Sequence, residues 1–199
     1  VNINEIVGSE KQGRIVAERF GIEWYSDYRD LLEKSDAVSI AVPTRHHRDI
    51  AVTAASVGVH ILVEKPLAIS TSDCIKIIEA AKKNKVKLAV GHVERHNGLV
   101  ELVSEKIANN DFGQVLTLAA NRFSQYPKRI ADVGVLFDLT IHDVDVICSI
   151  VKTPATKIFA AGGKFMNKFH EDQVCLNIMF ENGVLGICQT NWLTPMKVR

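Results

Sequence analysis

The sequence has 199 residues, 47% of them hydrophobic and 24% charged, which is typical of a folded globular protein and excludes a disordered or fibrous one. With 24 lysines and arginines against 23 aspartates and glutamates, the net charge of +1 provides no field that would attract nucleic acid or an anionic membrane. Long apolar runs and closely spaced cysteines are both missing, which excludes a membrane span and a zinc or disulfide framework. We therefore expect a cytoplasmic protein with buried, reduced thiols and a small-molecule ligand.

The first half of the chain alternates short apolar runs with helical patterns, which is typical of βαβ units in a parallel sheet. The sequence predicts strands at 1–7, 37–42, 60–63 and 87–91, and helices at 11–20, 26–33, 48–57 and 70–84. The run 37–42 is apolar almost throughout, so we expect a central strand that helices cover on both faces. Ser70 and Asp73 are placed to form a capping box at the start of the last helix.

After Gly91 the regular alternation of short strands and helices ends. The sequence predicts helices at 98–109 and 134–151, strands at 115–119, 157–161, 174–180 and 184–192, and a polar loop at 124–132. Asn182 and Gly183 between two strands are a strong hairpin signal. We therefore predict an α/β domain with a parallel sheet over residues 1–93, followed by an α+β domain with an open antiparallel sheet over residues 94–199.

Ligands of such parallel sheets gather beyond the carboxyl ends of the strands, so the residues there are the first candidates for a site. Glu64, Lys65 and Pro66 follow one predicted strand, and Pro66 stiffens the turn that carries the two opposite charges. A lysine at this place is suited to hydrogen-bond a substrate hydroxyl. The alternative is a solvated surface ion pair.

Asp138 and His142 are four residues apart on a predicted helix and therefore lie on one face of it. An imidazole beside a carboxylate is the arrangement that a general base needs, because the carboxylate favours the imidazolium that forms. Two alternatives are a surface ion pair and a His-Asp metal site. Neither His46 with His47 nor His92 with His96 has the clustered third ligand of a zinc site, so we expect no metal.

The basic residues Arg122, Lys128 and Arg129 lie around a proline in the loop that precedes this helix. One interpretation is a solvated loop. The other is a clamp for a phosphorylated or carboxylated substrate.

Four short motifs carry these candidates. They are Ala41-Val42-Pro43-Thr44-x-x-His47, Val63-Glu64-Lys65-Pro66-Leu67, Val90-Gly91-His92-Val93-Glu94-Arg95, and the run from Gly134 to His142. Each is common alone, but together and in this order they resemble the Gfo/Idh/MocA family of oxidoreductases. The resemblance spans essentially the whole chain and implies a dinucleotide-binding Rossmann domain followed by the α+β domain.

The resemblance also implies roles for individual residues. Lys65, Asp138 and His142 match the family's catalytic positions, with His142 removing the hydroxyl proton, Lys65 orienting the hydroxyl and Asp138 supporting the site electrostatically. Further positions are expected to contact ligands: Asn2, Pro43, Thr44, His47, Glu64 and Lys65 the cofactor, and Arg95, Arg122 and Arg129 the substrate.

Two departures from the family concern the cofactor. The glycine-rich turn that opens the family's first βα unit is missing, and the sheet ends early, so we expect a fragment that lacks the first βα unit and the last strands. The family often has an acidic residue for the adenosine ribose where this chain has Asn2. Asn2 keeps the hydrogen-bonding ability of that residue, so the resemblance implies NAD. It does not have the charge that would repel a 2′-phosphate, so NADP is the alternative.

The loop and helix from Arg122 onward resemble the branch of the family that acts on UDP-N-acetylhexosamines, among them UDP-N-acetylglucosamine 3-dehydrogenases. This resemblance implies oxidation of UDP-N-acetylglucosamine at C3. Alternatives are an inositol or polyol dehydrogenase with the same catalytic positions, and a non-catalytic sugar-nucleotide-sensing module. The family resemblance also implies a homodimer or homotetramer formed through the C-terminal sheet.

Overall fold

A computed structural model describes residues 5–7, 10–127 and 133–199 of the chain. Contacts within the backbone divide it into two compact units, Val1–Gly91 and His92–Arg199. Among the described residues, no helix combines the length and the apolar character that crossing a bilayer requires.

The first unit alternates strands and helices. Its elements are β1 (Glu5–Val7), α1 (Glu10–Phe20), β2 (Glu23–Tyr25), α2 (Tyr28–Leu32), β3 (Ala37–Ile40), α3 (His47–Ser56), β4 (His60–Glu64), α4 (Thr71–Lys83) and β5 (Leu88–Gly91), with a 3₁₀ turn at Thr44–His46. Strand β1 pairs with β2, and β4 lies between β3 and β5. All three pairings are parallel, as predicted.

The core of this unit forms where α3 and α4 pack on the three-stranded sheet. Ile61 and Val63 of β4 are buried against Ile77 of α4, whereas Leu62 between them is 45% exposed. Among the described residues the sheet is therefore covered on one face, and β3 lies at its edge. The prediction of a central strand buried on both faces is wrong, because apolar residues occur on both sides of the strand whether or not both are covered.

The starts of two helices in the first unit can be compared with the sequence predictions. Ser70 caps α4 as predicted, since its hydroxyl accepts a hydrogen bond from the Asp73 backbone N–H at 3.2 Å, which is one half of the capping box. Helix α2, by contrast, is capped by Asp27, whose carboxylate accepts from the Arg29 N–H at 2.9 Å. The predicted helix at 26–33 was therefore placed slightly too early, and β2 before it was not predicted.

The second unit combines helices with one sheet. Its elements are a 3₁₀ turn (Val93–His96), α5 (Gly98–Ala108), β6 (Thr117–Gln125), a π-helical turn (Leu136–Thr140), α6 (Ile141–Val151), β7 (Ala155–Gly163), β8 (Gln173–Phe180), β9 (Leu185–Asn191) and β10 (Leu193–Val198). The strand order is β10-β6-β9-β8-β7. All pairs are antiparallel except β6 with β9, which run parallel. The predicted fold class, an α/β unit followed by an α+β unit, is confirmed.

One face of this sheet packs against α6. Leu176 and Ile178 of β8 alternate with more exposed residues, and Cys188 of β9 is fully buried on the same side with Ile147 of α6. The predicted hairpin joins β8 to β9, and Gly183 has a φ of +83°, a conformation that favours glycine. The alternation fixes which side of each strand meets the helix.

The cysteines are all free thiols, but they are not uniformly buried as we expected. Cys188 is buried, Cys74 and Cys175 are half-buried, and Cys148 is exposed. Burial raises the pKa of Cys188 to about 12, so its thiol stays protonated and unreactive at neutral pH.

Candidate active site

The turn that carries Lys65 directly follows β4 and is held by its own glutamate. The Glu64 carboxylate accepts a hydrogen bond from the Lys65 backbone N–H at 3.2 Å. Gly91 of β5 lies opposite Glu64 in the sheet, and a Cβ there would be 3.3 Å from this carboxylate. Lys65 is half-buried, and the following Lys65–Pro66 peptide bond is cis. Glu64 thus braces the turn from within the sheet.

His47 lies beneath the same turn rather than at its surface. Its Nδ1 is 3.0 Å from the Pro66 carbonyl oxygen, and its Nε2 is 2.9 Å from the Val42 carbonyl oxygen. The residue is 1% exposed. Both ring nitrogens are occupied by backbone, so the ring has no group left for the cofactor contact that we expected.

Pro43 and Thr44 come after β3, at the same edge of the sheet as Lys65. Pro43 is exposed, and its carbonyl accepts from the His46 N–H at 2.9 Å as the 3₁₀ turn begins. Thr44 is half-buried as the first residue of that turn. Asn2, the other cofactor position, lies outside the described residues.

Asp138 and His142 lie where a π-helical turn meets α6. The turn Leu136–Thr140 contains Asp138, and α6 begins at Ile141, one residue before His142. A π turn holds more residues than an α turn, so four positions fall near one full turn and both side chains stay on one side of the helix. Both residues are half-buried. Single π turns inside helices are frequent at functional sites.

The start of this helix is fixed by Glu171, which precedes β8. The Glu171 carboxylate accepts from the Leu136 N–H at 3.1 Å, and its backbone carbonyl accepts from the Val135 N–H at 2.9 Å. A Cβ on Gly134 would lie 2.1 Å from that carboxylate, so only glycine leaves room for it. The contact satisfies helix N–H groups that have no partner within the helix.

Asp172 anchors Glu171 from the next position. It is fully buried, and its carboxylate accepts backbone N–H groups of Phe165, Met166 and Asn167 at 3.0, 2.6 and 2.9 Å. Burial raises the pKa of Asp172, but these hydrogen bonds outweigh burial and hold the pKa below its ordinary value. The loop before β8 is thus closed around one carboxylate.

Arg122 of β6 is buried, with 8% of its surface exposed. Its Nη2 lies 2.8 Å from Asp143 Oδ1, and its Nη1 lies 3.1 Å from Glu94 Oε1. Burial raises the pKa of Glu94, but the Arg122 guanidinium, the Asn97 amide and the Arg199 charge together lower it below its ordinary value. Two carboxylates of the same unit therefore hold Arg122, and this arrangement leaves it a structural role in place of the predicted substrate contact.

Arg95 forms a second ion pair with α6. Its Nε and Nη2 donate to the two carboxylate oxygens of Asp145 at 2.8 and 2.6 Å, and its side chain is 52% exposed. His92 Nδ1 is 3.7 Å from the same carboxylate. The hydrogen bond to Asp145 raises the pKa of Arg95, which keeps this exposed cation charged. Arg129, the third predicted substrate residue, lies outside the described residues.

Sequence reasoning gave no role to Asp143, Glu171 and Asp172. Asp143 binds the predicted substrate residue Arg122, and Glu171 and Asp172 support the helix start and the loop before β8. The only signal was the pair of carboxylates directly before β8, and such pairs are common in solvated loops. Within the described part of the chain, no three His, Cys, Asp or Glu side chains are grouped as a metal site.

The chain is similar to known proteins along almost its whole length. Residues 2–92 match the family model described as an oxidoreductase family with an NAD-binding Rossmann fold. Residues 100–199 match the model of the GFO/IDH/MocA C-terminal domain.

Individual relatives are similar over part of their own length. UDP-N-acetylglucosamine 3-dehydrogenase of Acidithiobacillus ferrooxidans is 33% identical over 132 residues, 66% of this chain and 41% of that protein. Myo-inositol 2-dehydrogenase of Thermotoga maritima is 26% identical over 190 residues, 89% of this chain and 57% of that protein. The chain thus spans about half the length of these curated relatives.

A solved structure of UDP-N-acetylglucosamine 3-dehydrogenase from Acidithiobacillus ferrooxidans superposes with a TM-score of 0.89 at 25% identity, covering 99% of this chain and 64% of that one. Similarity in sequence and in structure thus extends over both units. With both domain models matched in order, this chain belongs to the Gfo/Idh/MocA family of oxidoreductases.

Proposed function

We propose that the protein oxidises a hydroxyl of a sugar or sugar nucleotide with NAD, and that the substrate is UDP-N-acetylglucosamine, oxidised at C3. The observation that carries this proposal is the helix that presents Asp138 and His142 on one side and is anchored at its start by Glu171. A fixed carboxylate and imidazole suit proton abstraction from an alcohol.

Each of the three catalytic candidates has a distinct task in this reaction. His142 accepts the hydroxyl proton, and the electrons of the O–H bond form the new carbonyl as the C–H bond at the same carbon breaks. Asp138 stabilises the imidazolium that results. Lys65 donates a hydrogen bond to the hydroxyl oxygen and stabilises the negative charge that develops on it. The cofactor, when bound, takes up the hydrogen of the C–H bond as a hydride.

The residues at one edge of the three-stranded sheet fit such a cofactor. Pro43 and Thr44 follow β3 and Lys65 follows the neighbouring β4, so the parallel pairing places them at the same edge. Together they offer a hydroxyl, an ammonium group and an apolar ring to a bound nicotinamide nucleotide. Asn2 is the proposed adenosine-side contact, with NAD favoured over NADP.

The identity of the substrate is the most specific part of the proposal. The relative from Acidithiobacillus ferrooxidans is named for UDP-N-acetylglucosamine, and arginine side chains suit recognition of a diphosphate. We retain Arg95 and Arg129 as proposed contacts to that substrate. An inositol is the second candidate, favoured by the myo-inositol 2-dehydrogenase relative that matches 89% of this chain.

We also propose a homodimer or homotetramer formed through the sheet of the second unit. Strand β7 lies at the edge of that sheet, and Ile158 and Phe159 on it are each 67% exposed. Exposed apolar side chains on an edge strand favour pairing with another chain. The four free thiols favour a cytoplasmic location for this assembly.

The test uses the full-length protein with NAD and, in separate reactions, UDP-N-acetylglucosamine, myo-inositol and glucose. We expect absorbance of reduced nicotinamide to appear with UDP-N-acetylglucosamine. Turnover of myo-inositol alone would assign the second candidate. Cofactor binding without turnover of any sugar or sugar nucleotide would refute the enzyme and leave a sensing module.

A further inference from the structure

The one ring of His47 connects the ends of two neighbouring strands. Its Nε2 contacts the Val42 carbonyl, two residues after β3, and its Nδ1 contacts the Pro66 carbonyl, two residues after β4. His47 itself is the first residue of α3, and it is 1% exposed. The ring therefore lies inside the first unit, directly under the turn that carries Lys65.

We propose that His47 is a positioning residue of the proposed reaction. Its contact with Pro66 holds the backbone beside Lys65, and its contact with Val42 separately holds the backbone beside Pro43 and Thr44. This inference rests on the proposed function only for the identity of the reaction. The contacts themselves lie wholly within the first unit.

The contact with Pro66 acts on Lys65. Lys65 lies between Glu64, whose carboxylate accepts the Lys65 N–H, and Pro66, whose carbonyl is held by His47. The backbone is thus fixed on both sides of the lysine. A displacement of about 1 Å at a reacting group can cost about a hundredfold in rate, so a loosened turn lowers the rate of the chemical step.

The contact with Val42 acts on the other strand end. Val42 directly precedes Pro43 and Thr44, which we propose to contact the cofactor. Loss of this contact loosens their backbone and weakens cofactor binding. A carbonyl oxygen only accepts hydrogen bonds, so each contact is a hydrogen bond where that ring nitrogen carries a proton, and the doubly protonated ring makes both.

Amide side chains can separate the two contacts. The amide nitrogen of asparagine replaces the Nδ1 donor, so His47→Asn keeps the bond to Pro66 and loses the bond to Val42. The amide nitrogen of the longer glutamine replaces the Nε2 donor, so His47→Gln keeps the bond to Val42 and loses the bond to Pro66. His47→Phe removes both. His46→Asn is the matched control, because the exposed His46 ring contacts only the Arg45 side chain among the described residues.

The experiment measures kcat and the Kd for NAD of these variants of the full-length protein. In His47→Asn we expect kcat to change less than about threefold while NAD binds at least about tenfold more weakly. In His47→Gln we expect kcat to fall about tenfold or more while the affinity for NAD is kept. His46→Asn should leave both quantities unchanged. Equal effects of the Asn and Gln variants on both quantities, or a loss of thermal stability in His47→Gln with its kcat unchanged, would overturn the inference.

Hydrogen exchange gives a readout that does not depend on turnover. We expect the amides of Lys65 and Leu67 to lose protection in His47→Gln and to keep it in His47→Asn. Equal protection in the two variants would refute separate roles for the two His47 contacts, even if the enzyme is active. If protection differs between the two variants as expected but the protein oxidises no sugar, the roles of the two His47 contacts are supported and the proposed function is refuted. The Asn and Gln variants decide the question if His47→Phe does not fold.

Discussion

Arg122 of β6 and Asp143 of α6 form a buried ion pair in which both carboxylate oxygens accept hydrogen bonds from the guanidinium, at 2.8 to 3.2 Å. Their side chains are 10% and 8% exposed. Asp143 directly follows His142, so the pair fixes the helix position next to the proposed base. Glu94 adds a second carboxylate to the same guanidinium.

Replacement of Arg122 by glutamine should lower the free energy of unfolding of the second unit by about 3–5 kcal/mol, because it leaves the buried Asp143 carboxylate without its cation. Denaturant unfolding measures this loss. Lys106→Gln is the matched control, since its ion pair with Asp111 has side chains that are 44% exposed and should contribute about 1 kcal/mol or less. Equal losses in the two variants would show that the Arg122 pair is not buried in solution.

Replacement of Gly134 by alanine should displace the Glu171 carboxylate, which lies 2.1 Å from the position of the new Cβ. The helix start then loses a partner for the Leu136 N–H, and we expect kcat to fall about tenfold or more as Asp138 and His142 shift. Gly98→Ala at the start of α5 is the control, because nothing lies within 4 Å of its Cβ. Full activity of Gly134→Ala would contradict a positioning role for Glu171.

Replacement of Asp172 by asparagine should lower the free energy of unfolding at pH 7 by about 1.5–3 kcal/mol, since an amide cannot accept all three backbone N–H groups. The folded-state pKa of Asp172 is lowered, so the carboxylate stabilises the fold above its ordinary pKa of about 4. That contribution disappears as the pH falls through the folded-state value.

Unfolding followed from pH 7 to pH 2 should therefore show a steeper loss of stability below about pH 4 in the wild type than in Asp172→Asn. Asp111→Asn changes an exposed carboxylate of the same unit and serves as the control. A variant that keeps the full acid dependence of the wild type would assign that dependence to other carboxylates.

Replacement of His142 by alanine should lower turnover by about two orders of magnitude or more while NAD still binds, because the base acts on the substrate and not on the cofactor. Lys65→Ala should lower turnover comparably. Steady-state kinetics and NAD titration measure the two effects. Rates within about twofold of the wild type would refute the assigned roles.

The fold was largely predictable because its strands and helices carry strong periodic patterns. The helices α3, α4 and α5 and the strands β4, β5 and β8 lie within two residues of the predicted ranges. Strand β2 was missed, because the three residues Glu23–Tyr25 are too few to show an alternation. Strand β10 was missed because it contains Pro195, which only an edge strand tolerates, and β10 is such an edge.

The residues of the candidate site stay a prediction, and the contacts that support them were not predicted. Spacing predicted one helix for Asp138 and His142, and the structure has both in the continuous helical stretch from Leu136 to Val151, but the π turn leaves no mark in the apolar pattern. Arg122 looked like a loop arginine, yet β6 extends to Gln125 and turns it toward Asp143, 21 residues later. Pairings over such distances depend on sheet register, which a single sequence does not encode locally.

The central claim, hydride transfer from C3 of UDP-N-acetylglucosamine, is tested most directly with substrate that carries deuterium at C3. The full-length protein is incubated with this substrate and NAD, and the reduced cofactor is analysed by mass spectrometry. We predict reduced cofactor that is one mass unit heavier than that formed from unlabelled substrate. Reduced cofactor without deuterium, or none at all while myo-inositol is oxidised, would contradict the claim.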